Sequence, residues 1–278
     1  MGWEITRISG HLGATLRGVL LKNADSAALK AVEDALYAYG VVVLPDQHLA
    51  PEDHIRVARQ FGDIDVNRFF TPVASHPMIA EVRTQPEQTA VIGGTWHTDH
   101  SYDAAPAMCS ILSARELPTV GGDTHFASMT AAYQALSSGL QAMLCGLKAE
   151  HSDSSFADPA GLGLGTDPDA FRPPVLHPVV IRHPVTGAPC VYVNGDFTTR
   201  FDGWTVVESA PLLRYLYRFV TQPIFTARVV WKEGMVAIWD NRLVQHYATA
   251  DYPGESRLMH RITVKGVPLE PYSQPSSN

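Results

Sequence analysis

The residue types best suited to chemistry cluster in the string T-W-H-T-D-H at 95–100. Read as a strand, this string turns His97 and Asp99 to one face and Trp96 and Thr98 to the other, because side chains alternate along an extended chain. An imidazole and a carboxylate on one face make half of a metal site. A second histidine would complete two imidazoles and one carboxylate with the other coordination positions open, the set that suits Fe(II) in non-heme oxygenases. H-x-D strings arise by chance in a chain with 12 histidines, so the pair gains weight only from other segments.

The string W-D-N-R-L-V-Q-H at 239–246 offers that histidine. His246 follows a β-prone run, where loops carry chemistry. Farther on, Arg257 and Arg261 lie four residues apart on a predicted final strand and so share a face, with Met259 between them. Leu258, His260 and Ile262 take the opposite face. Two guanidiniums aimed at one face of a barrel strand call for anions, since a buried charge without a partner is costly. A metal with two anion clamps suits a carboxylate co-substrate together with an acidic substrate.

The rest of the chain must position these groups. Its 278 residues are ample for a sizeable core, and 45% hydrophobic with 18% charged residues is an ordinary globular balance. The formal net charge of −7 gives no basic footprint for nucleic acid. Three cysteines, Cys109, Cys145 and Cys190, lie far apart without zinc spacing and fit a reducing cytoplasm. No apolar leader or membrane-length run is visible, so no membrane partner is expected.

Residues 4–21 read as strand, turn and strand. The helical spacing of Ala28, Leu29, Val32, Leu36 and Tyr37 predicts a helix over 26–39, ended by Gly40. The apolar run 41–44 predicts a buried strand, and Pro51-Glu52-Asp53 opens a helix that closes near Phe61-Gly62. A helix is expected over 131–147 with an interruption at Gly139, and another over 206–220. The segments 179–182 and 190–193 read as a hairpin, as do 226–231 and 236–239 around Glu233-Gly234. Residues 152–176, rich in Asp, Gly, Pro and Ser, are expected to form an active-site lid. Short strands, few helices and no dividing linker indicate one mainly β domain over 1–278, a sandwich or jelly roll with flanking helices.

Beyond these patterns, the chain resembles the taurine dioxygenase / 2,4-D dioxygenase family of Fe(II)- and 2-oxoglutarate-dependent oxygenases. The resemblance is carried by W-H-T-D at 96–99, G-G-D-T at 121–124, V-N-G-D-F-T-T-R at 193–200, W-D-N-R-L-V-Q-H-Y-A-T-A-D-Y at 239–252 and R-L-M-H-R at 257–261. It implies a double-stranded β-helix, the cupin-like jelly roll. It implies His97, Asp99 and His246 as the catalytic iron ligands. Arg257 and Thr124 are implied to hold the distal carboxylate of 2-oxoglutarate. Arg261 is implied to meet an acidic group of the substrate or to support the cofactor end, and Phe197 to wall the substrate pocket. With Fe(II), 2-oxoglutarate and O2, such an enzyme hydroxylates an aliphatic C–H of a small anionic substrate, a carboxylate or sulfonate. The co-products are CO2 and succinate, and C–O or C–S cleavage can follow. A homo-oligomer, dimer or tetramer, is the expected assembly.

Two departures bear on the substrate. The taurine enzymes carry a histidine in the pocket where this chain has Asn67, and an asparagine shortly before W-H-T-D where it has Gly93 and Gly94. Residues 90–102 and 178–194 look at least as close to the phenoxypropionate-cleaving members. Alternatives are the same chemistry on a secondary-metabolite intermediate, or a non-catalytic 2-oxoglutarate- or metal-binding protein of the same fold. A zinc hydrolase string H-x-H-x-D-H is broken by Thr95, and Asp99 argues against a halogenase, which needs a small residue there.

Overall fold

A computed structural model describes residues 2–157 and 167–274. The first half of the chain supplies Glu4–Arg7 (β1), Ala14–Arg17 (β2), Val41–Leu44 (β3), Ile64–Asp65 (β4), Pro72–Val73 (β5), His76–Thr84 (β6) and Cys109–Glu116 (β7) to one large sheet. Smaller sheets take Thr124–Ser128 (β8), Lys148–His151 (β9), Val175–Pro178 (β10), Val180–Arg182 (β11), Pro189–Val191 (β12), Thr198–Phe201 (β13) and Thr226–Val229 (β14). The chain rejoins the large sheet at Val236–Asp240 (β15), leaves it at Val244–Ala248 (β16) and closes on it with Arg257–Val264 (β17). The order in the large sheet is β1-β2-β3-β15-β7-β17-β6-β5, with β4 on β17, while β14-β8-β16 forms the sheet that carries His246.

The central strands of the large sheet are buried on both faces, and their sequence shows it. Val41 and Val43 of β3, Leu112 and Ala114 of β7, Ala237 and Trp239 of β15 and Met259 of β17 point into the space between the sheets. There they meet Phe126, Ala127, Ala227, Val229 and Val244. The alternate residues Val42, Leu44, Ile111, Val236, Ile238 and Ile262 pack outward against helices Ser26–Tyr39 (α1) and Pro51–Phe61 (α2). This two-layer β core is the jelly roll that the sequence suggested.

The local signals for α1 and α2 act as expected. Asp25 caps α1 by accepting from the Ala28 amide at 2.8 Å, and Gly40 ends it in a left-handed conformation. Pro51 sits in the first turn of α2. Over 131–147 the chain forms two helices, Met129–Ala135 (α3) and Ser138–Cys145 (α4), and not one. The break falls at Leu136-Ser137, ahead of Gly139, because the Ser137 hydroxyl accepts from the Leu140 amide and starts a new helix. Helix Val206–Val220 (α5) opens on a Thr205/Glu208 capping box and buries Leu213, Leu216 and Val220.

The strands β11 and β12 pair as the expected hairpin. The hairpin expected over 226–239 does not form. β14 pairs with β8, whereas β15 lies between β3 and β7, so the turn at Glu233-Gly234 carries the chain from one sheet to the other. Of the expected lid 152–176, residues 158–166 lie outside the described residues. On either side of them, Asp153 and the Ala170 carbonyl both bind Arg68, at 3.0 and 2.7 Å. No helix among the described residues is long and apolar enough to cross a membrane.

Candidate active site

Residues 95–100 are not a strand. They form a loop held by one antiparallel bridge, in which the His97 and His246 amides each donate to the other's carbonyl, at 3.0 and 2.8 Å. The expected shared orientation of His97 and Asp99 still holds, through this tertiary pairing and not through strand alternation. His97 Nε2 lies 3.7 Å from Asp99 Oδ1, and His246 Nε2 lies 3.8 Å from Asp99 Oδ2. One ligand atom from each of the three residues falls within 4.8 Å of the others, and all three side chains are buried. This donor set fits a divalent metal of the iron group: two imidazole nitrogens and one carboxylate oxygen, gathered on one wall of a cavity.

Other groups orient the ligands. His97 Nδ1 lies 2.7 Å from the Thr95 carbonyl oxygen and donates to it, which leaves Nε2 with its lone pair free. The Asp99 carboxylate accepts from Ser110 Oγ at 2.6 Å and from Arg261 Nη1 at 2.9 Å. Burial by itself would raise the Asp99 carboxyl, but Arg261, His246 and His97 together hold it well below the ordinary carboxylate range. Burial and then the neighbouring His97 push His246 well down, towards the neutral imidazole that a metal needs. Asp240 fastens the turn that presents His246. It accepts from Arg242 Nε and Nη2 at 2.8 and 2.6 Å, and its Oδ2 lies 3.0 Å from His183 Nε2.

The cavity has a volume of about 390 Å³ and brings together every residue expected at the site except Asn67. Arg257, 3% exposed, donates from Nε to the Gly122 carbonyl at 3.1 Å, and its Nη2 is buried with no partner among the described residues. Gly122 has φ +68°, and an added Cβ would stand 3.1 Å from Arg257 Cδ, which is why G-G-D-T needs glycine there. Thr124 Oγ1 accepts from the Trp231 indole at 2.9 Å. With that lone pair used, the Thr124 hydroxyl proton is free to donate into the cavity. A buried guanidinium with an unpaired N–H and a free hydroxyl lining the same cavity are donors of the kind an anion requires.

Nearer the triad, Arg261 lies 4.3 Å above the Phe70 ring and keeps a buried Nε without a partner. Phe197 meets His97 edge-on at 5.9 Å and packs against Tyr102 at 4.8 Å. Phe156 completes this aromatic wall. Asp196 also lines the cavity, and burial raises its carboxyl. Asn67 stands behind the wall, with Nδ2 on His100 Nε2 at 2.8 Å. His100 spends its other nitrogen on Asp65 at 2.9 Å, so it lines the cavity as a fixed ring.

Sequence reasoning passed over Ser110, Asn241, Phe70, Tyr102 and Asp196. Asn241 and Asp196 stand within strings that carry the resemblance, but no local pattern marks any of the five as a site residue, because each reaches the site from a separate strand or loop. Gly93 was marked only as a departure, and its role is steric. At φ +74°, an added Cβ would stand 3.0 Å from His97 Cε1, so no asparagine fits at 93 without moving the ligand.

Residues 4–263 match the family described as "Taurine catabolism dioxygenase TauD, TfdA family". The chain is 33% identical to an alpha-ketoglutarate-dependent sulfate ester dioxygenase of Pseudomonas putida, over 95% of this chain and 89% of that one. It is 30% identical to an (S)-phenoxypropionate/alpha-ketoglutarate-dioxygenase of Sphingobium herbicidovorans, over 96% of both. The crystal structure of AAD-2 in complex with Mn(II) and N-oxalylglycine superposes with a TM-score of 0.82 at 30% identity, over 98% of this chain and 100% of that one. The His97/Asp99/His246 triad, the two buried arginines and the jelly roll thus coincide with a match over residues 4–263, and the chain belongs to the TauD/TfdA family of 2-oxoglutarate-dependent dioxygenases.

Proposed function

We propose that this protein uses Fe(II), 2-oxoglutarate and O2 to hydroxylate an aliphatic C–H of a small anionic substrate, releasing CO2 and succinate. The observation that carries this reading is the meeting, in one cavity, of the His97/Asp99/His246 triad with two buried guanidiniums that retain unpaired N–H groups. In this reading His97, Asp99 and His246 would hold the iron at the wall of the cavity that they line. The iron, when bound, supplies the oxygen activation that is coupled to 2-oxoglutarate decarboxylation. Arg257 and Thr124 hold the distal carboxylate of 2-oxoglutarate and so aim its keto acid end at the triad. Arg261 turns an anionic substrate group toward the metal side. Phe197, Tyr102, Phe70 and Phe156 exclude water from the reacting carbon.

The substrate class is a carboxylate, sulfonate or sulfate ester. Where the hydroxylated carbon also bears an aryloxy, sulfate or sulfonate group, the hydroxyl loses its proton as that group leaves with the bonding pair, and a carbonyl product results. The departures at Asn67 and Gly93-Gly94 speak against taurine and leave sulfate esters and aryloxyalkanoates as the first compounds to try. Anaerobic addition of Fe(II) and 2-oxoglutarate tests the proposal. A visible charge-transfer band of the chelated keto acid is expected, and sulfate esters, sulfonates and aryloxy acids that fit should perturb it. Intact, iron-loaded protein without such a band would refute the function.

A further inference from the structure

Three buried hydrogen bonds behind Asp99 run in one direction. The Trp239 indole Nε1 donates to Asn241 Oδ1 at 2.9 Å, Asn241 Nδ2 donates to Ser110 Oγ at 3.1 Å, and Ser110 Oγ donates to Asp99 Oδ2 at 2.6 Å. The direction is set at its start, because an indole nitrogen can only donate. Asn241 must therefore turn its oxygen to Trp239 and its NH2 to Ser110. That amide occupies a Ser110 lone pair, so the hydroxyl proton is left for Asp99. All four side chains are buried, and three separate segments supply them: the loop at 99, β7 at 110, and the end of β15 with the turn after it at 239–241.

Asp99 has a second holder of a different kind. Arg261 Nη1 donates to Asp99 Oδ1 at 2.9 Å, and the same guanidinium faces the cavity, where an anionic substrate would compete for it. Ser110 has no such competing duty: its single proton goes to Asp99, and it is not among the residues that line the cavity.

We propose that Ser110, turned by Asn241 and Trp239, is a positioning residue that fixes the Asp99 carboxylate for the metal and keeps it fixed when Arg261 engages an anion. The second half rests on the function proposed above; the first half does not. A carboxylate pinned at only one oxygen by a residue shared with substrate would swing as substrate arrives. The Ser110 bond removes that freedom.

Anaerobic titration of Co(II) into the purified, metal-free full chain tests this without 2-oxoglutarate or O2. Ser110→Ala is expected to weaken Co(II) binding by about 10- to 100-fold and to alter the d–d absorption of the bound ion. Ser110→Thr keeps the donor and should bind within about threefold of wild type, the usual latitude of such comparisons being far smaller than the expected loss. Asn241→Leu, which frees the Ser110 proton to turn away, should weaken binding by about 3- to 10-fold and serves if Ser110→Ala does not fold. A purely structural role would lower the melting temperature of Ser110→Ala but leave its Co(II) affinity within about twofold of wild type, and that result overturns the proposal. Wild-type protein that fails to bind Co(II) overturns it together with the metal centre. Ser110-dependent Co(II) binding without the 2-oxoglutarate band would sustain this inference while refuting the proposed function. The band with unchanged Co(II) affinity in Ser110→Ala would do the reverse.

Discussion

Replacing Arg257 with methionine should weaken ligand binding strongly while leaving the stability of the ligand-free protein nearly unchanged. The Arg257 side chain is 3% exposed, its Nε pairs only with the Gly122 carbonyl, and its Nη2 has no partner among the described residues. Burial pushes the guanidinium below its ordinary value, which is the electrostatic sign of a cation held without a counter-ion. Truncating one partner of a buried charge-assisted pair costs about 2–5 kcal/mol. At about 1.4 kcal/mol per tenfold, Arg257→Met should bind 2-oxoglutarate roughly 30-fold to several thousand-fold more weakly. The ligand-free protein should not suffer in proportion. Removing an unpaired buried donor returns about 1–3 kcal/mol, and orphaning the Gly122 carbonyl takes back a similar amount. Anaerobic calorimetric titration of 2-oxoglutarate into Co(II)-loaded protein gives the first quantity, and thermal unfolding with and without 2-oxoglutarate gives the second. A dissociation constant within about threefold of wild type would refute the clamp, since it is less than about 0.7 kcal/mol. A ligand-free Arg257→Met chain destabilised by several kcal/mol would recast Arg257 as a structural ion.

Asp99→Ala should abolish metal-dependent succinate release, and turnover at the wild-type rate would remove Asp99 from the ligand set. Arg261→Ala should reduce turnover of sulfate and sulfonate substrates far more than that of neutral analogues of equal size; an equal loss for both would mean that Arg261 serves only Asp99. Gly93→Ala places a Cβ 3.0 Å from His97 Cε1 at φ +74°, so metal affinity should fall about tenfold or more, and an unchanged Co(II) titration would show that the loop yields. His54 predicts an acid limit to stability. Burial first, only partly offset by its bond to the Ile111 carbonyl, holds its pKa at about 3 against an ordinary 6.5. Between those values the unfolded chain takes up a proton that the native chain refuses, so stability falls as pH drops from 6.5 towards 3. The loss is on the order of 5 kcal/mol at most. His54→Gln should flatten that dependence in urea unfolding at pH 4 against pH 7, and an identical slope in both proteins would remove His54 as its source.

Sequence alone determined what depends on residue type and short-range period. The helix over 26–39 and its end at Gly40, the buried strand at 41–44 and the start at Pro51 follow from caps, φ preferences and apolar spacing. The shared face of Arg257 and Arg261 follows from the period of two along β17, and both do turn into the cavity. The residues proposed to hold a metal and anions were picked out in the sequence by their types and by the family resemblance of the strings that carry them.

Tertiary structure decided the rest. The loop at 95–100 has no repeating pattern of its own, and its conformation comes from the bridge to His246, a partner 149 positions away (246 minus 97). The turn at Glu233-Gly234 looks the same in sequence whether its strands pair or part, and only the places open beside β8 and between β3 and β7 send them to different sheets. The break ahead of Gly139 came from a serine cap that competed successfully with a continuous apolar stripe. Trp239 and Asn241 stand in a string that carries the family resemblance and Ser110 in none, but nothing local marks the three as bonded partners. Their chain of donors exists only because burial forces each hydrogen-bonding group to find a partner in a neighbouring strand or loop. Chemistry could be read from residue types, but which groups touch was set by how the two sheets close around them.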